Sequence, residues 1–89
     1  MFRLAKKVLE NYGLNFSFID TTDIDLIKKN IQKNTKIVFL ETPTNPTMKI
    51  FDLKEVSKLS REYNLIHVVD NTFATPYLQR PIEFGADIV

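Results

Sequence analysis

Asp70 is the residue of this 89-residue chain whose type and placement most favour a role in a binding site. It follows the apolar pair Val68 and Val69, so we predict that it lies at the carboxyl end of a buried strand. A carboxylate there is costly unless it is paired, which makes Asp70 a candidate for contacting a ligand. A simpler interpretation stays open, because an aspartate before a polar loop also caps turns through its side chain.

A second candidate is the loop segment Glu41–Thr47, which reads Glu-Thr-Pro-Thr-Asn-Pro-Thr. Its two prolines, Pro43 and Pro46, stiffen the backbone, and a residue that precedes proline avoids the helical region. Asn45 is therefore expected to be held extended, as suits a side-chain amide that must stay in one place. An ordinary turn is the alternative that composition alone leaves open.

The other residues that could take part in chemistry are assigned structural roles. His67, the single histidine, falls inside a predicted strand and is expected in the core. The lysines are expected on solvated helix faces, and the tyrosines (Tyr12, Tyr63 and Tyr77) are expected to pack. No clustered histidines suggest a metal site, and a chain with 2 glycines lacks a glycine-rich phosphate loop.

Composition excludes several classes of function. Without cysteine there is no disulfide framework, thiolate zinc site, iron–sulfur cluster or cysteine nucleophile. The 12 basic and 11 acidic residues leave a net charge of +1, too little to favour nucleic-acid binding. No apolar run approaches the roughly 20 residues of a membrane helix, and no apolar stretch follows the basic N-terminus. The expected compartment is the cytoplasm.

The elements that must position the candidates alternate between helix and strand. Helical spacing from Phe2 to Tyr12 predicts a first helix that ends at Gly13, and Phe16 to Ile19 reads as a short strand. Thr22 or Asp23 is placed to cap a second helix.

Two apolar runs without alternation, Lys36 to Leu40 and Leu65 to Val69, predict strands buried on both faces. Between them, Asp52 starts a third helix, with Glu55 three residues on as in a capping box. Asn71 to Pro81 is predicted as a loop with one helical turn, and Ile88 with Val89 begins a further strand.

This order predicts an α/β fold with a mainly parallel sheet and flanking helices. Glu41 and Asp70 would end two such strands, and parallel strands end at the same edge of a sheet. Ligands of open α/β sheets bind outside that edge. The two carboxylates and the loops that follow them are therefore expected to face one crevice.

Three stretches together resemble the Cys/Met-metabolism family of pyridoxal-phosphate enzymes, which includes cystathionine γ-synthase, cystathionine γ-lyase and methionine γ-lyase. They are Glu41–Thr47, the run Val-Val-Asp-Asn-Thr-Phe-Ala-Thr-Pro-Tyr-Leu-Gln-Arg-Pro over 68–81, and Gly-Ala-Asp-Ile-Val over 85–89. The match is dense from Lys36 onward and looser before Asn34. It implies part of the large domain of a fold-type-I pyridoxal-phosphate-dependent transferase.

The resemblance assigns roles to three cofactor-binding residues. Asp70 matches the aspartate that pairs with the pyridine nitrogen of pyridoxal 5'-phosphate and keeps it protonated. Asn45 matches the asparagine beside the ring's phenolic oxygen, and Thr72 matches a nearby polar contact. Glu41 is interpreted as holding the loop, and Asn45–Pro46 is a candidate for a cis peptide bond.

The resemblance also implies what the chain lacks. The family's Schiff-base lysine lies in a Ser-x-Thr-Lys segment just after Gly-Ala-Asp-Ile-Val, so no lysine here is assigned that role and no catalytic residue is named. We expect residues 1–89 to be a partial large domain truncated at both ends, inactive alone.

The full-length protein is expected to be a carbon–sulfur lyase or transferase of transsulfuration. Its reaction would be γ-elimination or γ-replacement on cystathionine, methionine, homocysteine or an activated homoserine, and it would form homo-oligomers. The alternative is a free-standing, non-catalytic α/β binding module that reuses part of this fold.

Overall fold

The computed structural model describes residues 1–44 and 49–89. Helices and strands alternate along most of the chain, in this order: α1 Phe2–Lys7, α2 Ile24–Asn30, β1 Ile37–Glu41, α3 Leu53–Glu62, β2 Ile66–Asp70 and α4 Thr75–Leu78. Two 3-10 turns, Leu9–Tyr12 and Pro81–Phe84, follow α1 and α4. The α/β class predicted from the sequence is confirmed.

The sheet is parallel, as predicted. β1 and β2 pair in a register that sets Ile37 opposite Ile66 and Glu41 opposite Asp70. On the other side of β2, Val68 forms a parallel bridge with Ile88, where the sequence predicted a further strand. β2 is therefore the middle of three parallel segments, and α3 connects it to β1.

Aspartates begin the two helices that pack on this sheet, as the capping patterns predicted. The side chain of Asp23 accepts a hydrogen bond from the backbone N–H of Asp25 at 2.9 Å. That of Asp52 accepts from the N–H groups of Lys54 and Glu55, at 3.0 and 3.1 Å. These bonds satisfy N–H groups that would otherwise lack partners at the start of a helix.

The main core lies between α2, α3 and one face of the sheet. Its buried members come from all three: Ile27, Val38, Leu40, Phe51, Val56, Leu59 and Leu65. A smaller cluster of Leu53, Val69 and Ala86 ties α3 to β2 and to the segment before Ile88. One face of each strand is thereby fixed against helices.

The prediction that both strand faces are buried is wrong for the described part of the chain. Burial alternates along β1 and β2, and Ile37, Phe39 and Ile66 are 53, 41 and 45% exposed. The helices that pack on the sheet, α2 and α3, share a core with Val38 and Leu40, which point to the other face. The described residues therefore bury one face of each strand and leave the other face exposed.

The predicted strand Phe16 to Ile19 is absent. A strand needs a hydrogen-bonded neighbour, and within the described residues no segment pairs with this one. Its aromatic residues instead contact each other and α1: the ring centroids of Phe2 and Phe18 lie 4.6 Å apart, and those of Phe16 and Phe18 lie 6.1 Å apart. The phenylalanines of this segment therefore serve ring packing, and its β-branched residue, Ile19, packs against the main core.

The tyrosines expected to pack are largely exposed. Tyr12 and Tyr77 are 80 and 94% accessible, and Tyr63 is 41% accessible.

The first helix predicted from Phe2 to Tyr12 is interrupted, because α1 ends at Lys7 and Val8 is not helical. A 3-10 turn continues to Tyr12, and Gly13, with a left-handed φ of 82°, ends that turn where the end was predicted.

His67 is buried in the core, as predicted, with no exposed surface. Its ring Nδ1 lies 2.9 Å from the hydroxyl oxygen of Ser57 on α3, and its backbone N–H donates to the carboxylate of Asp87 at 2.8 Å. Within the described residues, Nε2 has no hydrogen-bond partner. Burial lowers the pKa of His67, and the charge of Asp87 only partly opposes that shift.

This burial predicts that the chain loses stability as the pH falls below about 6.5, the ordinary pKa of histidine. Below that value His67 binds a proton in the unfolded chain but not in the folded chain. The free energy of unfolding therefore decreases with falling pH until the pKa of His67 in the folded chain is reached. The loss from this group is at most about 1.4 kcal/mol per pH unit. Urea unfolding between pH 7.5 and 5.5 measures it.

The matched control is His67→Gln, which removes the titrating ring. That variant is less stable at every pH, and its stability is expected to fall less steeply over the same range. Equal slopes for the two proteins would contradict the account, because carboxylates alone would then explain the pH dependence.

Candidate functional site

The carboxyl ends of β1 and β2 meet at one edge of the sheet, as the sequence predicted. Glu41 and Asp70 are direct partners in the parallel register, and the next backbone N–H, that of Thr42, donates to the carbonyl of Asp70 at 3.2 Å. The side chains at these two positions share a face with Phe39 and Val68, the face that α3 leaves uncovered. Both carboxylates thus leave the sheet on its apolar face, and of the two expected to face one crevice, Asp70 is the one that lines the groove.

Asp70 is held by Thr72. Its Oδ1 accepts from the Thr72 backbone N–H at 3.0 Å and from the Thr72 hydroxyl at 2.6 Å. These two hydrogen bonds, the hydroxyl's first, lower the pKa of Asp70. The turn-capping interpretation of Asp70 is thus confirmed, and the same bonds keep the carboxylate ionised and fixed in orientation.

A second aspartate shows what distinguishes Asp70. Asp20 makes the same pair of bonds with Thr22, at 3.0 and 2.7 Å, and its pKa is lowered to about 2. Its other oxygen accepts from the ammonium of Lys49 at 3.0 Å. For Asp70, no group among the described residues bonds Oδ2. Asp20 is thus in an ion pair, whereas the positive charge that acts on Asp70 is the N-terminal ammonium, which lowers the pKa of Asp70 less than the Thr72 bonds do.

Asp70 lies on the wall of an open groove of about 810 Å³. The floor is apolar, formed by Phe39 and Val68, and polar groups from the loop after β2 form one side. Arg80 also borders the groove, with its guanidinium paired to Glu83 at 3.0 Å. An apolar floor with a few fixed polar groups is the usual character of a small-molecule site.

The loop after β2 contains polar contacts that the sequence did not reveal. Asn71, only 7% exposed, donates its side-chain N–H to the carbonyl of Gln79 at 2.7 Å. The amide of Gln79 donates in turn to the side-chain oxygen of Asn71 at 2.9 Å and to the carbonyl of Thr42 at 3.1 Å. An asparagine and a glutamine eight residues apart match no known sequence motif, so this contact of Gln79 could not be predicted from the sequence.

The same loop contains a backbone conformation that is rare for its residue type. Thr75, at the start of α4, has a φ of 61°, in the left-handed region that β-branched residues seldom adopt. Its N–H donates to the carbonyl of Asn71 at 2.9 Å. Such outliers persist only where the surrounding contacts hold them, and they occur often at ligand sites.

The structure brings two of the three predicted cofactor-binding residues, Asp70 and Thr72, together at the groove. Asn45 lies outside the described residues, and so does the Asn45–Pro46 bond that was a candidate for cis geometry. The cis peptide bond that the structure does contain joins Thr42 to Pro43. Among residues 1–44 and 49–89, no three side chains of His, Cys, Asp or Glu lie close enough together to hold a metal ion.

Comparison with known proteins identifies the family to which this chain belongs. The model of the family described as Cys/Met metabolism PLP-dependent enzyme matches residues 1–89. The chain belongs to this family. Its members are pyridoxal-phosphate enzymes that process amino acids, which confirms the fold, family and cofactor that the resemblance implied.

Similar relatives catalyse different reactions. Over 88 residues the chain is 47% identical to a cystathionine β-lyase of Lactococcus lactis, and over 89 residues it is 48% identical to an L-methionine γ-lyase of Fusobacterium nucleatum. A crystal structure of cystathionine γ-lyase from Lactobacillus plantarum with L-serine superposes with a TM-score of 0.96 at 41% identity, covering 98% of this chain.

The Cys/Met-metabolism chain spans about a quarter of the length of these relatives. The matches to the two lyases include 99% of this chain but only 23 and 22% of the lyase sequences. The superposition includes 23% of the crystallised chain. The alternative interpretation, a free-standing non-catalytic module, receives no support from the comparisons. Among the described residues, no helix is long and apolar enough to cross a membrane.

The paired aspartate–threonine turns provide an internally controlled prediction. Thr72→Val removes the hydroxyl bond that contributes most to the lowered pKa of Asp70, so that pKa is expected to rise. The pKa of Asp20 should stay low. Carboxyl carbon chemical shifts followed by NMR through a pH titration measure both values.

Thr22→Val is the matched variant, since it removes the equivalent bond to Asp20. It is expected to raise the pKa of Asp20 and leave that of Asp70 unchanged. If Thr72→Val leaves the pKa of Asp70 unchanged, the hydrogen bond from Thr72 is not what lowers that pKa.

Proposed function

We propose that this chain forms one wall of the pyridoxal-phosphate site in a full-length enzyme of sulfur amino-acid metabolism. The observation that carries the proposal is Asp70: an ionised carboxylate at the carboxyl edge of the sheet, fixed through one oxygen and open to the groove through the other. The remainder of the site would come from other parts of the protein, of which this chain makes up about a quarter by comparison with its relatives.

The residues present fit the proposed cofactor. A protonated pyridine nitrogen needs an anion that stays charged at neutral pH, and the lowered pKa of Asp70 ensures that charge. The two Thr72 bonds hold the carboxylate in one orientation before the ring arrives. The apolar groove floor of Phe39 and Val68 suits a flat aromatic group and strengthens the ion pair by excluding water.

The other site residues have supporting roles in this proposal. Thr72 orients Asp70, and Asn45 is proposed to donate a hydrogen bond to the phenolic oxygen of the ring, as in the family's Thr-Pro-Thr-Asn-Pro segment. Glu41 is proposed to steady the loop that carries Asn45, since it is the last residue of β1 and lies beside Asp70 in the sheet.

The reaction proposed for the complete enzyme makes or breaks a carbon–sulfur bond. Pyridoxal phosphate, when bound, supplies a ring that accepts electrons from a substrate carbanion. Asp70 keeps that capacity high by holding the ring nitrogen's proton. Cystathionine, methionine, homocysteine and activated homoserine are the proposed substrates, and the relatives' names divide between cystathionine and methionine.

The remaining attributes follow the family and are proposed with it. The partner is a small amino-acid substrate, the full-length enzyme is proposed to be a homo-oligomer, and its proposed compartment is the cytoplasm. No described residue is proposed as the cofactor-bearing lysine, so the chain by itself is expected to have no turnover.

A chimera tests the role of Asp70. This chain replaces the matching segment of the Lactococcus lactis cystathionine β-lyase, with which it shares 47% identity over 88 residues. In the chimera, Asp70→Asn keeps the shape of the side chain and removes its charge. We expect kcat/KM for cystathionine to fall about 10²–10³-fold, the usual cost of removing one charge-stabilising group.

Asp20→Asn is the matched control, because Asp20 has the same threonine-held turn but pairs with Lys49. It should leave kcat/KM within about twofold, since a surface ion pair contributes little. If the Asp20 and Asp70 variants have equal activity, Asp70 does not serve the cofactor and the proposed role is wrong.

A further inference from the structure

We propose that Gln79 and Asn71 are positioning residues that fix the loop after β1 against the loop after β2, and so set the geometry of the groove. Neither residue is assigned to cofactor or substrate contact. The inference rests on the proposed function, because it gives these amides a role in the same site.

The two amides form a closed pair. Asn71 donates to the backbone carbonyl of Gln79 at 2.7 Å, and Gln79 donates to the side-chain oxygen of Asn71 at 2.9 Å. The two bonds run in opposite directions across the base of the loop Thr72–Leu78. Both side chains are therefore restrained to one orientation, as reciprocal hydrogen bonds require.

The pair also reaches across to the other loop. The Gln79 amide donates to the carbonyl of Thr42 at 3.1 Å, and this contact joins residues 37 positions apart. Thr42 is 1% exposed, so its carbonyl would be costly to leave without a partner. One side chain thus connects the first residue after β1 to the first residue after β2.

The loop after β1 is closed at its base as well. The N–H of Thr44 donates to the carbonyl of Lys49 at 3.1 Å, and the N–H of Lys49 donates to the hydroxyl of Thr44 at 2.9 Å. Thr44 and Lys49 are thus bonded to each other close to Thr42, the first residue after β1. Holding Thr42 in place fixes where the described part of this loop leaves the sheet.

The loop after β2 is built around the same pair. The strained residue Thr75 donates its N–H to the carbonyl of Asn71, and its own carbonyl accepts from the N–H of Gln79 at 3.1 Å. The short helix α4 is thus bounded by Asn71 and Gln79. Backbone strain at Thr75 is retained because bonds at both ends of the turn hold it.

Gln79→Met in the chimera described above tests the inference. Methionine has a similar length but donates no hydrogen bond, so the two loops lose their link. We expect the dissociation constant for pyridoxal phosphate to rise about tenfold, the size expected from losing one or two neutral hydrogen bonds. We also expect a shift in the pKa read from the visible absorbance of the bound cofactor.

The controls separate positioning from general destabilisation. Gln32→Met makes the same substitution at an exposed glutamine that does not line the groove. It should change neither the dissociation constant for pyridoxal phosphate nor the pKa of the bound cofactor. Asn71→Ala should reproduce the effect of Gln79→Met, and the double variant should be no worse than either single one, because the residues act as a unit. Gln79→Lys, which keeps a donor, should bind the cofactor more tightly than Gln79→Met.

Two results would overturn the inference. One is a Gln79→Met chimera that matches Gln32→Met in cofactor affinity and spectral titration. The other is a Gln79→Met chimera that loses thermal stability but keeps both its dissociation constant for pyridoxal phosphate and the pKa of the bound cofactor. That result would indicate a purely structural role.

Failure of the proposed function is a separate result. If the unsubstituted chimera does not bind pyridoxal phosphate, the proposed function is contradicted. Amide hydrogen exchange at Thr42 then tests the link that Gln79 makes between the two loops. Faster exchange in Gln79→Met than in Gln32→Met supports this link, and equal exchange contradicts it.

Discussion

The parallel pairing of β1 with β2 is the constraint on which the rest of the structure depends. The register sets Glu41 against Asp70, so both strands end level and their loops leave the sheet side by side. A slip of one residue would turn the side chains of the slipped strand to the opposite face: in β1 it would place Val38 and Leu40 in solvent, and in β2 it would turn Asp70 toward the core. The burial of Leu40 at 1% exposure and of His67 therefore fixes where the carboxylate of Asp70 points.

Asp70 shows that capping a turn and binding a ligand are compatible roles for one carboxylate. Thr72 occupies one oxygen and fixes the orientation of the carboxylate, and the same bonds lower its pKa, so the group stays charged as a partner of a protonated ring nitrogen must. Asp20 uses the same local device, but Lys49 already pairs with its second oxygen. The difference between an internal ion pair and a binding group therefore comes from the surroundings rather than from the aspartate–threonine turn.

Much of this arrangement could be predicted from local sequence patterns. The apolar runs, the capping residues Asp23 and Asp52, and the turn at Gly13 are set by neighbours within a few residues, and the structure contains all of them. The placement of Asp70 at the edge followed from the parallel topology. That Asp70 caps the turn after it followed from the polar loop, whereas its partner Thr72 is known from the structure alone.

What the sequence could not predict depends on contacts between distant residues. Gln79 reaches Thr42 across 37 positions, and a glutamine has no local signature for such a bond. The segment Phe16 to Ile19 has the composition of a strand but lacks a paired neighbour among the described residues. The uncovered face of β1 and β2 has the same cause, since apolar runs report how buried a strand is in its whole fold.

The central claim is that Asp70 holds the proton on the ring nitrogen of the cofactor. The most direct measurement is the ¹⁵N NMR shift of pyridoxal phosphate labelled at that nitrogen and bound to the chimera, recorded between pH 6 and 9. The account predicts the shift of a protonated ring throughout this range. The shift of an unprotonated ring at neutral pH, with Asp70 intact, would contradict it.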